Sequence, residues 1–341
     1  MKCVSLKSAH EFEIKEIAEP ISNNENVVID VKKAGICGSD IHYWVAGEPA
    51  GLVMGHEYCG VVTDPGNRSD LKVGERVTAL PISPCGHCSA CLTGNPQYCA
   101  ETWTSATGLS LSNPGALAPK MAIRSDMVIK VPDTVSDDEI AMVEPTAVGL
   151  HAIHLANIKI GDKVLIIGGG IIGLVSAMFA KKAGASYVAV SETNAARGEK
   201  AVHLGVANAW LNAMEETFLE QCFTKTNGGF DIVIDCCGNA KAVSSALMAV
   251  KPGAKVVLVG VATEPITIPT VIAVMRELTL LGAIAYTKEE FETCIHLMAE
   301  KKIDILPFVD DIVSLEEVQA AYERLTSGTD DAVKILVDPT K

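Results

Sequence analysis

Excess positive charge, aromatic side chains and long apolar runs are all scarce in this chain, and each shortage removes a class of function. Lysine and arginine number 28 against 42 aspartates and glutamates, a formal net charge of −14 over 341 residues. No segment gathers the basic patch that a phosphate backbone demands, so nucleic acid is excluded as a partner. No uncharged apolar stretch reaches the roughly 20 residues of a membrane span. The most apolar one, 164–178, is broken by Gly168, Gly169, Gly170 and Gly173. The opening run MKCVSLKSAHEFEIKEI contains no continuous apolar core, so no signal peptide and no membrane partner are expected, and the chain reads as soluble and cytoplasmic. Aromatics make up 5% of a chain that is 48% hydrophobic, leaving Val, Ile and Ala to fill the interior, as in α/β proteins with buried parallel strands. The length suits two domains.

Cysteine, by contrast, is plentiful, with eleven in all. Four of them, Cys85, Cys88, Cys91 and Cys99, fall within fifteen residues in the run CGHCSACLTGNPQYC. Cys-x-x-Cys steps let neighbouring thiolates reach one ion without backbone strain, and zinc takes four thiolates in a tetrahedron. Gly86, Gly94 and Pro96 supply the turns. Two disulfides are the competing use of this spacing, and a reducing compartment opposes them. With every position filled by protein, such an ion is structural. Cys3, Cys59, Cys222, Cys236, Cys237 and Cys294 sit in apolar surroundings and read as small buried hydrophobes.

Up to about residue 143, short strand-like runs at 26–32, 58–63, 75–80 and 127–130 alternate with Gly, Pro and Asn, the texture of an irregular β-rich domain. From about 149 the pattern changes to buried strands at 163–167, 187–191, 231–235, 255–259 and 278–281, separated by helical segments. That alternation predicts a doubly wound parallel sheet, and hence an α/β fold class. Near the end, Ser314 and Glu317 form a capping box ahead of a helix running to about 325. The apolar run 333–337 reads as a strand that rejoins the N-terminal sheet.

The strand 163–167 leads into Gly168-Gly169-Gly170-Ile171-Ile172-Gly173 and then a helix. The G-x-G-x-x-G pattern alone is weak, but strand before, helix after and Glu192 at the end of the next strand make it a dinucleotide fingerprint. Gly168 permits the tight turn, Gly170 the close approach of pyrophosphate and Gly173 the helix-to-strand contact. The helix N-terminus presents free N–H groups and a positive dipole end to phosphate. Glu192 would accept the adenosine ribose hydroxyls and repel a 2′-phosphate, which favours NAD. Arg197 nearby is the counter-signal, able to stack on adenine or pair with a phosphate.

A second metal constellation is sparser. Cys37 in GICGSDIHY, His56 nineteen residues later and Glu144 in VEP offer one soft, one intermediate and one hard ligand. Three protein ligands leave a fourth position for water or substrate, the arrangement of catalytic zinc.

The segments GICGSDIHYW, MGHEYCGVV, CGHCSACLTGNPQYC, VEPTAVGLHA and GGGIIG, in this order, resemble the zinc-dependent medium-chain dehydrogenases over essentially the whole chain, and within them the sorbitol and butanediol (polyol) branch. The resemblance implies a GroES-like catalytic domain over residues 1–148, to which 281–341 return, and a Rossmann domain over 149–280. It implies two zinc ions per chain and NAD. Cys37, His56 and Glu144 would surround the catalytic ion, with Glu57 as a neighbour that coordinates in some states. Ser39 falls where a hydroxyl contacts the substrate alcohol, His42 where a proton relay reaches solvent, and Tyr43, Glu144 and Tyr286 at substrate positions. Backbone near Val259, Gly260, Val261 and Ile284 would contact the nicotinamide half, and Ile172 belongs to the phosphate loop. Family members are commonly homodimers or homotetramers.

Two departures shape the substrate expectation. Ala285 stands where sorbitol dehydrogenases typically carry arginine, which weakens a long polyol grip, and LLGAIAYTKEEFE looks more like the butanediol branch. The spacer from Cys37 to His56 is also shorter than usual. The implied reaction is reversible oxidation of a secondary alcohol in a vicinal diol or polyol. Competing readings are a zinc-free NADPH-dependent quinone or enone reductase of the same superfamily, and a non-enzymatic zinc knuckle attached to a nucleotide-sensing domain.

Overall fold

The computed structural model describes all 341 residues and divides them into two units, Met1–Pro145 with Thr287–Lys341, and Thr146–Tyr286. The expected breaks lay after residues 148 and 280. The run 279–282 belongs to the second unit's sheet, so the chain returns only beyond it.

The first unit holds β1 (Lys2–Ser8), β2 (Glu11–Glu16), β3 (Asn26–Gly35), β4 (Glu57–Asp64), β5 (Arg76–Ala79), β6 (Lys120–Arg124) and β7 (Val128–Lys130). The second holds β8 (Lys163–Ile167), β9 (Tyr187–Glu192), β10 (Ala209–Asn212), β11 (Phe230–Asp235), β12 (Val250–Leu258) and β13 (Thr279–Gly282). The tail adds β14 (Asp311–Val313) and β15 (Ile335–Val337) to the first.

β1 and β2 form an antiparallel pair, and the main sheet of the first unit runs β14-β15-β3-β4-β5-β7, with β6 also on β3. Val27, Val28, Ile29 and Val31 of β3 are buried, and Val27, Ile29 and Val31 pack in one core with Val62, Val77, Met121, Ile123, Ile335 and Val337. β4 and β15 both run antiparallel to β3, so the end of β3 lies beside the starts of its two neighbours. Gly35 faces Glu57 on one side and Leu336 on the other. The tail strand rejoins this sheet as expected, and Ser314 and Glu317 form the expected capping box, opening on a 3-10 turn before the helix Val318–Thr326.

The second unit is a six-stranded sheet in the order β10-β9-β8-β11-β12-β13, parallel throughout. The chain winds outward from β8 to β10 and then returns to β11, so the order reverses between β8 and β11. Ligands of such sheets bind outside the carboxyl ends of the strands at that point. Leu165, Ile167, Ala189, Val233 and Val256 join Phe218, Phe230 and Leu247 in its buried core. β10 was not expected; it has four residues, too few for a pattern to show. No helix is long and apolar enough to cross a membrane.

Candidate active site

Cys37, separated from β3 by one residue, N-caps the helix Gly38–Ala46. Three residues on, Asp40 completes the cap: its Oδ2 accepts the Cys37 N–H at 3.1 Å. Across the sheet, Glu57 opens β4 with His56 just before it, so strand pairing brings them to Cys37. Ligand atoms of Cys37, His56 and Glu57 lie within 4.8 Å of one another, with His56 and Glu57 buried. Asp40 Oδ1 stands 3.2 Å from His56 Nδ1, which leaves Nε2 facing Ser39 Oγ at 3.5 Å. Ser39 Oγ donates to Cys37 Sγ at 3.3 Å.

The electrostatics suit a cation. Burial alone would push the His56 imidazole down, yet the Asp40 and Cys37 charges outweigh it and hold its pKa well above the usual histidine range. The two anions that retain a proton here can retain a metal in its place. One soft, one intermediate and one hard donor, with Glu57 Oε1 buried and lacking a hydrogen-bond partner, fit a zinc ion. The chemistry such an ion supplies is Lewis acidity toward a bound oxygen.

The remaining candidates are placed as follows. His42 is exposed one helical turn beyond Ser39, on the same helix face, and Tyr43 is half-buried beside it. Glu144 stands half-buried in the first turn of the helix Val143–Ala156, outside the group that joins Cys37, His56 and Glu57. Tyr286 is buried at the end of the second unit.

Cys85, Cys88, Cys91 and Cys99 bring their sulfurs within 4.8 Å of one another, and all four are free thiols. Gly86 and Gly94 take left-handed conformations at φ 79° and 78°. These turns aim amides at sulfur: Cys85 N–H donates to Cys99 Sγ at 3.4 Å and Cys88 N–H to Cys85 Sγ at 3.3 Å. Backbone donation from Cys85 and Glu101 pulls the Cys99 thiol down to about 6. Sulfurs 3.5 Å (Cys88 to Cys91) and 4.0 Å (Cys85 to Cys91) apart are not disulfides and match donors converging on one ion.

In the second unit, Gly168 turns at φ 105°, and a side chain there would meet Cys237 Sγ. A Cβ on Gly173 would run into the Gly168 carbonyl, so helix and turn pack as the fingerprint requires. Gly170 N-caps the helix Ile171–Lys182, with nothing within 4 Å of where its Cβ would be; the backbone is open on that side. Ile172 is half-buried within this helix's first turn. Glu192 ends β9 and accepts N–H groups from Gly169 at 2.7 Å, Thr193 at 2.6 Å and Asn194 at 2.9 Å. Arg197 lies half-buried on the next helix, its Nε buried without a hydrogen-bond partner. Val259 and Gly260 donate to the Asp235 carbonyl at 2.9 and 3.0 Å, while Val261 and Ile284 are exposed.

Three residues here escaped sequence reasoning. Asp40 orients both Cys37 and His56. Buried Asp235 ties down the turn after β11 through the amides of Cys237 and Gly238. Lys334, also buried, ion-pairs with Glu57. The one available signal was a lysine set inside the apolar run AVKILV.

The two units match two family models. One described as alcohol dehydrogenase GroES-like domain covers residues 23–133, and one described as zinc-binding dehydrogenase covers 172–300. The sorbitol dehydrogenase of Bacillus subtilis (strain 168) is 32% identical over 352 residues, spanning 100% of this chain and 98% of that protein. The (R,R)-butanediol dehydrogenase of Neisseria gonorrhoeae is 33% identical over 362 residues, spanning 99% of each. Among solved structures, an alcohol dehydrogenase from Escherichia coli CFT073 complexed with NADH superposes at a TM-score of 0.91 with 26% identity, covering 99% of each chain. A zinc-binding dehydrogenase from Sinorhizobium meliloti 1021 bound to NADP does so at 0.87 with 29% identity, again covering 99% of each. The class is thus an alcohol dehydrogenase that uses zinc and a nicotinamide cofactor. The chain belongs to the zinc-dependent medium-chain dehydrogenase family, in its polyol branch.

Proposed function

We propose that this enzyme reversibly oxidises a secondary alcohol of a vicinal diol or polyol to the ketone, with NAD as hydride acceptor and two zinc ions per chain. The observation that carries the reading is the convergence of Cys37, His56 and a carboxylate at the end of β3 and start of β4, with Ser39 Oγ against both. Zinc held by Cys37, His56 and Glu144, with Glu57 adjacent, would polarise the substrate oxygen, and nicotinamide would take the hydride. Ser39 would receive the alcohol proton and His42 pass it to solvent. Tyr43, Glu144 and Tyr286 would line the neighbouring hydroxyl's position. The four-cysteine ion would hold its own lobe together.

Glu192 supports NAD over NADP: a carboxylate at the end of β9 would accept the ribose hydroxyls and repel a 2′-phosphate, since like charges repel. Backbone near Gly168, Gly170, Ile172 and Gly173 would take the pyrophosphate, Arg197 the adenosine end, and Val259, Gly260, Val261 and Ile284 the nicotinamide end. The names of the sorbitol and butanediol dehydrogenases it resembles support the diol class. Ala285 in place of arginine favours the smaller diols. We place the protein in the cytoplasm, where its free cysteines would persist. A homodimer or homotetramer is supported by the edge strand β13 and the exposed Val271, Val274 and Met275 nearby.

The test is an NADH-formation screen across vicinal diols, sugar alcohols, cyclitols and hydroxyketones, with NADP as the cofactor control and metal counted per chain. Turnover on diols with two zinc ions supports the reading. Activity confined to primary monoalcohols overturns the diol preference, and NADPH-dependent enone reduction with one zinc, at the four cysteines and none at Cys37 and His56, supports the competing reductase without catalytic zinc.

A further inference from the structure

Trp210 lies on β10, a four-residue strand at the edge of the parallel sheet. Its register partner on β9 is Val190, and Asn212 pairs with Glu192, so the indole starts two positions short of the end of β9. From there Nε1 donates to the Glu192 carbonyl at 3.0 Å, whereas the Ala213 N–H meets the same oxygen at 3.4 Å. The indole thus makes the shorter of two bonds that fix the main chain of Glu192 where the ladder ends. Its pyrrole ring also lies against the helix Ala195–His203. A Cβ on Gly198 would come within 2.3 Å of Cδ1 and Nε1 and 2.5 Å of Cγ. Glycine is a poor helix former, and Gly198 is buried in mid-helix, so what it supplies is room for the ring. Asn194 caps the same helix by accepting the Arg197 N–H at 3.3 Å, and its own N–H goes to the Glu192 carboxylate at 2.9 Å. The ring is therefore seated between that helix and the turn that carries Glu192. A tryptophan that merely covered the sheet edge would need neither the N–H bond nor a glycine opposite it.

We propose that Trp210 is a positioning residue for cofactor recognition: by holding the Glu192 carbonyl it fixes where the Glu192 carboxylate stands, and so sharpens the choice between a ribose 2′-hydroxyl and a 2′-phosphate. The inference rests on the reading of Glu192 as the ribose acceptor. The amides of Gly169, Thr193 and Asn194 pin the carboxylate, and the indole pins the main chain behind it. A site that reads a hydroxyl discriminates only as well as its polar groups are held. Freed at the carbonyl, the carboxylate can retreat, which weakens both the ribose bond and the repulsion of phosphate.

The test measures Kd for NADH and for NADPH by calorimetry on the zinc-loaded full chain, with no alcohol present. Trp210→Phe keeps an aromatic ring and removes the N–H, and the ratio of the NADPH Kd to the NADH Kd should fall roughly fivefold. Gly198→Ala, which forces the ring from its seat, should lower the ratio too, although alanine is the better helix former. A merely structural role would weaken both cofactors alike, so an unmoved ratio in either variant overturns the proposal. In a Glu192→Ser background Trp210→Phe should leave the ratio where it is; an equal fall in both backgrounds would mean that the indole acts elsewhere, and overturns it as well. Should Gly198→Ala fail to fold, Trp210→Phe, which adds no volume, decides alone. Failure of the ribose reading gives a different result: Glu192→Ser then keeps the wild-type ratio with Trp210 intact.

Discussion

Asp40 Oδ1 stands 3.2 Å from His56 Nδ1, and the other oxygen of the same carboxylate accepts the Cys37 N–H at 3.1 Å. One buried side chain therefore orients two candidate metal donors nineteen positions apart in sequence. Outer carboxylates of this kind fix the tautomer of a ligating histidine and raise its basicity.

Asp40→Asn should weaken metal binding at Cys37 and His56 by roughly 10- to 100-fold while leaving the four-cysteine site loaded. Competition with a chelator measures the first, and metal content per chain the second. The weakened helix cap should add a loss of about 1 kcal/mol in urea unfolding. An unchanged metal affinity would reduce Asp40 to a cap alone.

Cys88→Ser should lower the metal content by one ion per chain and bring the urea midpoint down, because the fold of that lobe is linked to its ion. Cys37→Ser should also lose one ion, yet keep the midpoint close to wild type and abolish turnover. Elemental analysis beside urea melts separates the two. Equal midpoints for both variants would contradict a structural role for the four-cysteine site.

Glu192→Ser removes the carboxylate that accepts amides from Gly169, Thr193 and Asn194. The ratio of kcat/KM for NADP to that for NAD should rise about tenfold or more, equivalent to ~1.4 kcal/mol of lost repulsion and lost ribose contact. Steady-state kinetics with both cofactors decide it, and an unchanged ratio would mean that Glu192 does not read the ribose.

Asp338 closes the tail against β3. Burial pushes its carboxyl up, but bonds from Lys33 and Thr340 outweigh that and bring it to about 2. Lys33 Nζ is 2.8 Å away. A folded-state value below the unfolded one of about 3.9 means the stabilisation is complete above that pH and disappears as pH falls through about 2. Asp338→Asn should thus cost about 1–2 kcal/mol at pH 7, with the gap from wild type narrowing below about pH 4. Urea melts from pH 7 down to the acid limit of the folded state would show this, and a pH-independent gap would refute it.

Much of this protein was legible in its amino-acid order, wherever the relevant physics is local. The phosphate turn was legible because strand, glycines and helix are contiguous from Lys163 to Lys182, and each glycine answers a steric demand within that unit. The convergence of the four cysteines was legible for the same reason, with thiols and turns inside one short loop. The parallel strands announced themselves as apolar runs, because a strand buried on both faces needs no partner to display its pattern.

Asp40 and Lys334 carried no such mark. Asp40 reads as an ordinary helix cap until β3 and β4 pair and set His56 beside it. Lys334 lies 277 positions from Glu57 and meets it only because β15 docks antiparallel on β3. A charge takes its meaning from the charges around it, and strand register, which joins distant segments, decides which those are. The sequence by itself determined most strands of the two larger sheets, the glycine-rich turn and the donor types. Tertiary pairing alone decided which buried charges face the metal donors, because that depends on neighbours no local pattern encodes.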